Sequence, residues 1–320
     1  MRSLAFIVAA AVACGGPLDA RPASAPAPVR VLVEPDAGPD AVRALLSAAR
    51  RSLSMEMYLL TDGPTIDALV ARRRAGVDVR VVLEPHPYQA DGANDDAFAR
   101  LSAAGVLVAW ASPRFALTHA KVAVVDHARL VVLTLNLTRA GLAGNREYAV
   151  VDDDARDVAA AEALVAGDLA GAAPAAPGGR VLASPTSSRP ALAAALTRAA
   201  RTVAVEMEEL SDADLVAALA AAPARGCAVS VVLPGSGASV ATDAAARALA
   251  AAGVAVRLLY APQVHAKAVV ADGWLYVGSA NLTAASLDAN REVGLALTDP
   301  AAVRLVAGTI ADDLARGRAP

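Results

Sequence analysis

An α/β fold of two repeated lobes is what this sequence predicts, on three observations. Apolar, β-branched runs alternate with amphipathic segments, the pattern of a sheet flanked by helices. The second half repeats the first: residues 180–185 match 30–35, 203–207 match 53–57 and 226–233 match 76–83, all at an offset of 150. A His-x-Lys motif also occurs twice with the same spacing to an Asp, as His119-Ala120-Lys121 with Asp126 and His265-Ala266-Lys267 with Asp272.

In chain order, residues 29–35 read as a buried strand. Residues 40–51 read as a helix with Val42, Leu45, Leu46 and Ala49 on one face. A strand over 52–60 leads to a helix over 64–74, stopped by Gly76, and residues 77–83 carry the β-branched run of a parallel strand. A helix over 95–104, closed by Gly105, precedes a strand over 106–110. Residues 117–125 and 130–135 form a hairpin about Asp126-His127, and Asn145-Arg146-Glu147 leads into a strand over 148–151. In the second copy the offset drifts to 148 at Gly253, 146 at His265 and 145 at Glu292, as short loop deletions in a duplicated domain would produce. The Ala, Pro and Gly of residues 167–179 mark a linker between lobes spanning 29–166 and 180–320.

Arg2 and the apolar run 4–13 have the pattern of a signal peptide over residues 1–13, too short to span a bilayer. Ala11-Val12-Ala13-Cys14-Gly15 resembles a bacterial lipobox, which implies lipidation of Cys14 and a Gly-, Pro- and Ala-rich tether over 14–28. The expected location is the bacterial cell envelope, with the exported protein anchored to a membrane and facing the periplasm or the exterior. Cys227, the other cysteine, then has no disulfide partner and is expected buried at the start of a strand. Aromatic residues make up 3% of the chain, so its cores must be layers of Val, Leu and Ala. The formal net charge of −3, more negative once Arg2 is removed, does not suit a general polyanion binder.

Of 29 basic residues, the only two lysines are Lys121 and Lys267, one in each motif. Two residues from a histidine on an extended strand, each lysine projects to the histidine's face. A neutral imidazole can act as a nucleophile and form a covalent intermediate, and a second, protonated one can supply a proton to a leaving oxygen. The ammonium groups would neutralise the oxygens of an anionic substrate. Asn136 and Asn281 would donate hydrogen bonds to them, with Thr134 and Ser279 beside as substrate-binding hydroxyls. A metal centre on these histidines conflicts with two converging ammonium groups. A triad of Ser279, His265 and Asp272 would leave the first copy unexplained. Asp152-Asp153-Asp154 reads as a solvated turn, His86 as part of a loop, and residues 234–237 as a Gly-rich turn of weak phosphate-binding character.

The two motifs resemble those of the phospholipase D superfamily, whose signature is His-x-Lys-x4-Asp with a following Gly-Ser-x-Asn. The second copy matches with Gly278-Ser279-Ala280-Asn281; the first has Leu133-Thr134 in place of Gly-Ser, adding bulk where the chain is expected to approach substrate. The likeness runs from about residue 29 to the end. It implies two phospholipase D-like α/β/α lobes, with mixed sheets, flanking helices and a single active site at their interface. It also implies that the acid downstream of each motif, by position Glu147 and Glu292, holds the second ring nitrogen of its histidine. Asp126 and Asp272 read as structural ties for the hairpin turns. His119 is expected as nucleophile and His265 as general acid, with no metal or other cofactor, and a monomer suffices because both motifs lie in one chain. The expected substrate is a phospholipid headgroup phosphodiester. The alternatives are a non-specific nucleic-acid phosphodiesterase and a non-catalytic lipoprotein that binds anionic headgroups.

Overall fold

Two mixed sheets with the same strand order face each other across a shared apolar layer. The computed structural model describes residues 29–320; the expected signal segment, the tether and Cys14 lie outside them. The N-terminal half runs β1 (Arg30–Glu34), α1 (Pro39–Ser47), β2 (Ser52–Met57), α2 (Gly63–Arg74), β3 (Asp78–Leu83), α3 (Asp95–Ala103), β4 (Leu107–Trp110), β5 (Lys121–Val125), β6 (Arg129–Leu133), α4 (Arg139–Ala143), β7 (Asn145–Asp152) and α5 (Ala155–Leu169). The C-terminal half runs β8 (Val181–Ser184), α6 (Ser188–Arg198), β9 (Thr202–Met207), α7 (Ala213–Ala221), β10 (Ala228–Pro234), α8 (Val240–Ala251), β11 (Ala255–Leu259), β12 (Gln263–Val264), β13 (Lys267–Ala271), β14 (Trp274–Gly278), α9 (Ala284–Asp288), β15 (Glu292–Leu297) and α10 (Pro300–Arg316).

The first sheet is ordered β1-β7-β6-β5-β2-β3-β4 and the second β8-β15-β14-β13-β9-β10-β11. In each, one block of three strands is parallel and the motif hairpin adds to it antiparallel. The α/β class and the doubled lobe are as the repeat predicts. Strand alternation explains the layering: Val122 and Val124 face the central core shared with α5, α10 and the second sheet, while Ala123 and Val125 face the outer core under α1, α2 and α3. Each such Val or Leu, fully buried, contributes about 1.5–3 kcal/mol. Cys227 is buried just before β10.

Several boundaries differ from the sequence reading for physical reasons. The helix expected through residue 51 ends at Ser47, because the backbone N–H groups of Arg50, Arg51 and Ser52 donate to the Asp126 carboxylate. The strand expected over 117–125 starts only at Lys121; Thr118 pairs with Arg291 of the other lobe instead. Helix α5 extends to Leu169, into the expected linker. Asp152-Asp153-Asp154 is not a solvated turn: Asp152 is buried against Arg180 at 2.9 Å, Asp153 pairs with Arg129, and Asp154 caps α5 through the Arg156 N–H.

Candidate active site

The site is built by strand pairing between the lobes. Short β12 runs parallel to the start of β7, with Gln263 beside Asn145 and Val264 beside Arg146, and the Thr118–Arg291 bridge repeats this on the other side. The next residue along each pairing is a motif histidine opposite a glutamate. His119 N–H donates to the Arg291 carbonyl at 2.8 Å, and His265 N–H to the Arg146 carbonyl at 3.2 Å. The arginines themselves are clamped across the interface, Arg146 Nε to Asp313 of α10 at 2.5 Å and Arg291 Nη2 to Asp168 of α5 at 2.8 Å. Beneath them Glu56 and Glu206 lie against Asp168 and Asp313. Burial pushes both carboxyls up, Glu206 to about 8 and Glu56 well above the usual range, with the neighbouring carboxylates adding to the effect.

Consequently the glutamates are exchanged between motifs. His119 Nδ1 lies 3.0 Å from Glu292 Oε2, and His265 Nδ1 lies 2.6 Å from Glu147 Oε1. This corrects the expectation that each histidine is held by the acid downstream in its own motif. Within each sheet β6 or β14 intervenes between the histidine's strand and that glutamate's strand, a separation of about 9–10 Å at ordinary strand spacing.

Around His119 the wall is aromatic. The Tyr58 ring meets the imidazole edge-on with centroids 4.4 Å apart, and Lys121 Nζ sits 5.0 Å from the same ring while donating to the His119 carbonyl at 2.8 Å. Burial lowers the His119 imidazole, helped by the charges of Lys121 and Lys267 and opposed by Glu292. Burial, with Lys267 nearby, also brings the Lys121 ammonium down to about 7. Burial raises the Glu292 carboxyl, but His119, Lys121 and the Ser279 hydroxyl outweigh it and hold the group below its ordinary value.

Around His265 the wall is acidic. Glu208 Oε2 is 2.6 Å from Lys267 Nζ and accepts from Asn281 Nδ2 at 3.1 Å, while its Oε1 is 3.5 Å from His265 Nε2. Burial raises this carboxyl, yet His265, Lys267 and Asn281 hold it well below the carboxylate range. Both histidines, Asn136, Asn281, Tyr58 and Glu208 open onto one cleft of about 550 Å³. Among the described residues, no cluster of three or more His, Cys, Asp or Glu side chains is arranged to hold a metal ion.

Other expected residues fall elsewhere. Thr134 and Ser279, read as substrate-binding hydroxyls, are wholly buried and do not line the cleft; Thr134 donates to Glu147 at 2.6 Å and Ser279 contacts Glu292 and the Val293 backbone. They position the glutamates, which corrects their assignment. Leu133 does not crowd substrate either. It is buried in the outer core, paired with Ala149, whereas its counterpart Gly278 pairs with Gly294 under the Tyr276 ring. A Cβ on Gly294 would meet that ring at 2.3 Å, so one lobe uses Tyr, Gly and Gly where the other uses Val131, Leu133 and Ala149.

Asp126 and Asp272 lie at the far ends of their hairpins, each accepting from three successive backbone N–H groups. Their turns have positive φ at two successive residues, 57° and 56° at Asp126-His127 and 48° and 92° at Asp272-Gly273; the second is a two-residue hairpin, in which this geometry matches strand twist, while the first holds one residue more, Ala128. His86 pairs with Asp91 on the surface, and Gly235 of the Gly-rich turn packs on Tyr260. Tyr58 and Glu208 were missed. The signal was present in the 150-residue offset, which aligns Met57-Tyr58-Leu59-Leu60 with Met207-Glu208-Glu209-Leu210.

A family model described as "Cardiolipin synthase, PLD-like domain" matches this chain twice, over residues 42–168 and 192–314. The chain belongs to the phospholipase D-like family. The two matches fall on the two halves of this phospholipase D-like protein and contain both motifs. Polyphosphate kinase from Porphyromonas gingivalis is similar in structure with a TM-score of 0.71 at 17% identity, over 90% of this chain and 50% of that one. This chain thus spans half the length of that enzyme. Phosphatidylserine synthase from Haemophilus influenzae Rd KW20 gives 0.70 at 12% identity, over 90% and 86%. Nuc, a phospholipase D family member from Salmonella typhimurium, gives 0.41 at 26% identity, over 44% and 93%. The first two likenesses concern the fold. No curated protein sequence matches the chain.

Proposed function

We propose that this phospholipase D-like protein is a phosphodiesterase that hydrolyses phospholipid headgroup phosphodiesters through a phosphohistidine. One observation carries the reading: two His–Glu pairs, each assembled from both lobes, face one cleft together with Asn136 and Asn281, with a lysine beside each histidine. His119, with Nδ1 given to Glu292, offers Nε2 as the attacking lone pair, and its lowered pKa favours the neutral ring. The P–N bond forms as the P–O bond to the headgroup alcohol breaks. His265 delivers a proton to that oxygen, then takes one from water, whose oxygen attacks phosphorus and releases His119. Lys121, Lys267, Asn136 and Asn281 stabilise the charge on the non-bridging oxygens.

A lipid substrate is supported by the matched family model's description, which names cardiolipin synthase, by the net charge of −3, and by the lipobox-like residues around Cys14. In this reading the protein is an exported lipoprotein of the bacterial cell envelope and works as a monomer. The test is a panel of phosphatidylcholine, phosphatidylglycerol, cardiolipin and single- and double-stranded DNA, with and without EDTA. Release of a headgroup alcohol and phosphatidic acid, unaffected by EDTA, is the expected result. Cleavage of DNA alone would reassign the substrate, and a metal-dependent rate would reject the mechanism. Palmitate labelling of the full chain, lost in Cys14→Ser, tests the anchor.

A further inference from the structure

Strands β2 and β9 end at equivalent points of the two lobes, and the residue that follows differs: Tyr58 in one, Glu208 in the other. Tyr58 gives the His119 side a neutral wall. Glu208 places a carboxylate on Lys267, Asn281 and His265, at 2.6, 3.1 and 3.5 Å. These are the groups that the phosphodiesterase reading assigns to a substrate phosphate, so half of the anion site already holds an anion. The Glu208 carboxylate is held there by side-chain contacts, while its backbone N–H donates to the Ala266 carbonyl; the side chain is 29% exposed and borders the open cleft, so the carboxylate has space into which to turn.

We propose that Glu208 is the resident counter-ion of this phosphate site. An anionic substrate then binds by exchange for its carboxylate on Lys267 and Asn281, and the displaced charge selects monoanionic diesters over dianionic phosphates. The inference rests on the reading of the cleft as a phosphate site. Its physical basis is that the displaced carboxylate remains beside the bound phosphate, and Coulomb repulsion scales with the charge on the incoming group. A dianion therefore meets about twice the repulsion that a diester meets. The Tyr58 half carries no such charge at the equivalent position, so the selection comes from one side of a nearly symmetric cleft.

The experiment is calorimetric binding of dimethyl phosphate and of inorganic phosphate at pH 8 to the full-length protein, to Glu208→Gln and to Glu208→Tyr, with the melting temperature of each recorded. Glutamine keeps the shape and the acceptor oxygen; tyrosine copies the other lobe. Both variants should bind dimethyl phosphate about 10-fold more tightly, and inorganic phosphate by a larger factor still. KM for a diester substrate should fall with a smaller change in kcat. Affinities unchanged or weakened in variants that melt as the wild type does, or an equal gain for the two anions, would overturn the proposal. So would loss of kcat at constant KM, which would make Glu208 a proton carrier. The wild type offers a check that needs no variant: in crystals soaked in phosphate, Glu208 should leave Lys267, and a bound phosphate with that ion pair intact would refute the exchange. Because anion affinity is read without turnover, a protein that behaves this way but cleaves no diester refutes the phosphodiesterase reading alone. Diester cleavage with Glu208→Gln without effect on either anion refutes this inference alone.

Discussion

The Nδ1 of His265 and the Oε1 of Glu147 lie 2.6 Å apart although the two residues belong to different lobes, and His119 with Glu292 repeats the exchange at 3.0 Å. Neither half of the chain therefore supplies the glutamate that meets the Nδ1 of its own motif histidine. The cleft exists only when the lobes are docked, and the buried Arg146–Asp313 and Arg291–Asp168 clamps hold the strand starts that carry the glutamates in register.

The exchanged pairing predicts which substitution each histidine feels. Burial lowers the His119 pKa and Glu292 opposes it, so Glu292→Gln should lower the titration midpoint of His119 further, while Glu147→Gln leaves it nearly in place. Histidine-selective NMR across pH 4–9 reads both. A His119 that responds to Glu147 instead would contradict the structure.

The two histidines should also separate in trapping experiments. With a p-nitrophenyl phosphodiester, whose leaving group needs little protonation, His265→Ala should accumulate phosphoenzyme and stall, and His119→Ala should form none. Acid-quenched labelling and peptide mapping locate the phosphate; finding it on His265 reverses the roles.

Lys121 titrates at about 7, so its ammonium is present below that pH and lost above it. Binding of a phosphodiester monoanion that relies on this charge should weaken as pH rises from 7 to 9, by up to about 10-fold per unit. The same lysine affects stability in the opposite sense: its folded pKa is depressed below the unfolded value, so the unfolded chain binds the extra proton and stability rises between about 7 and 10. Lys121→Ala should flatten both profiles. Dimethyl phosphate titrations and melting curves at each pH measure them.

Asp126 and Asp272 accept hydrogen bonds from backbone N–H groups, with Arg201 Nε 4.0 Å from Asp272, and lie at the far ends of their hairpins, so their loss should cost stability rather than chemistry. Asp126→Ala or Asp272→Ala should destabilise by about 1–3 kcal/mol, discounted for partial exposure, with kcat of the folded protein within a few-fold of wild type. Their folded pKa values are depressed, Asp272's most by its backbone donors; for Asp126 the backbone donors of Arg50, Arg51 and Ser52 outweigh the opposing effect of burial. The difference from wild type should thus be present above the normal carboxylate range and vanish as pH falls through the folded values. Urea titrations at pH 7 and pH 3 check the sign.

Glu206 behaves in the reverse way. Its folded pKa, raised by burial to about 8, means that the folded state holds a proton the unfolded state releases near 4.5, so stability falls as pH rises between those values. Glu206→Gln keeps an acceptor for the Tyr148 hydroxyl and should stabilise the protein above pH 8 by about 2–4 kcal/mol. Equal melting temperatures of variant and wild type at pH 9 would refute it.

What could be read from the chain alone was whatever depends on local pattern. Alternating Val runs predicted strands with two buried faces, and the 150-residue offset predicted two lobes with one topology. The doubled His-x-Lys motif with two Asn marked the residues that line or flank the cleft. Element ends were less legible where a distant group competes for the backbone, as the Asp126 carboxylate does at Arg50 and Arg51. Only the tertiary structure decided partnership. Glu147 and Glu292 are equivalent in sequence, and the choice of histidine for each depends on β6 and β14 intervening within a sheet while β12 and Thr118 cross to the other lobe. Strand pairing within each sheet turns Thr134 and Ser279 from the cleft toward the glutamate of their own lobe. Pairing of β9 with β13 inside the second sheet brings Glu208 onto Lys267, giving the two halves of a duplicated site unequal charge. Spacing along a strand fixes which residues share a face, but contacts across a lobe interface are set by the packing of two whole sheets, which no local pattern encodes.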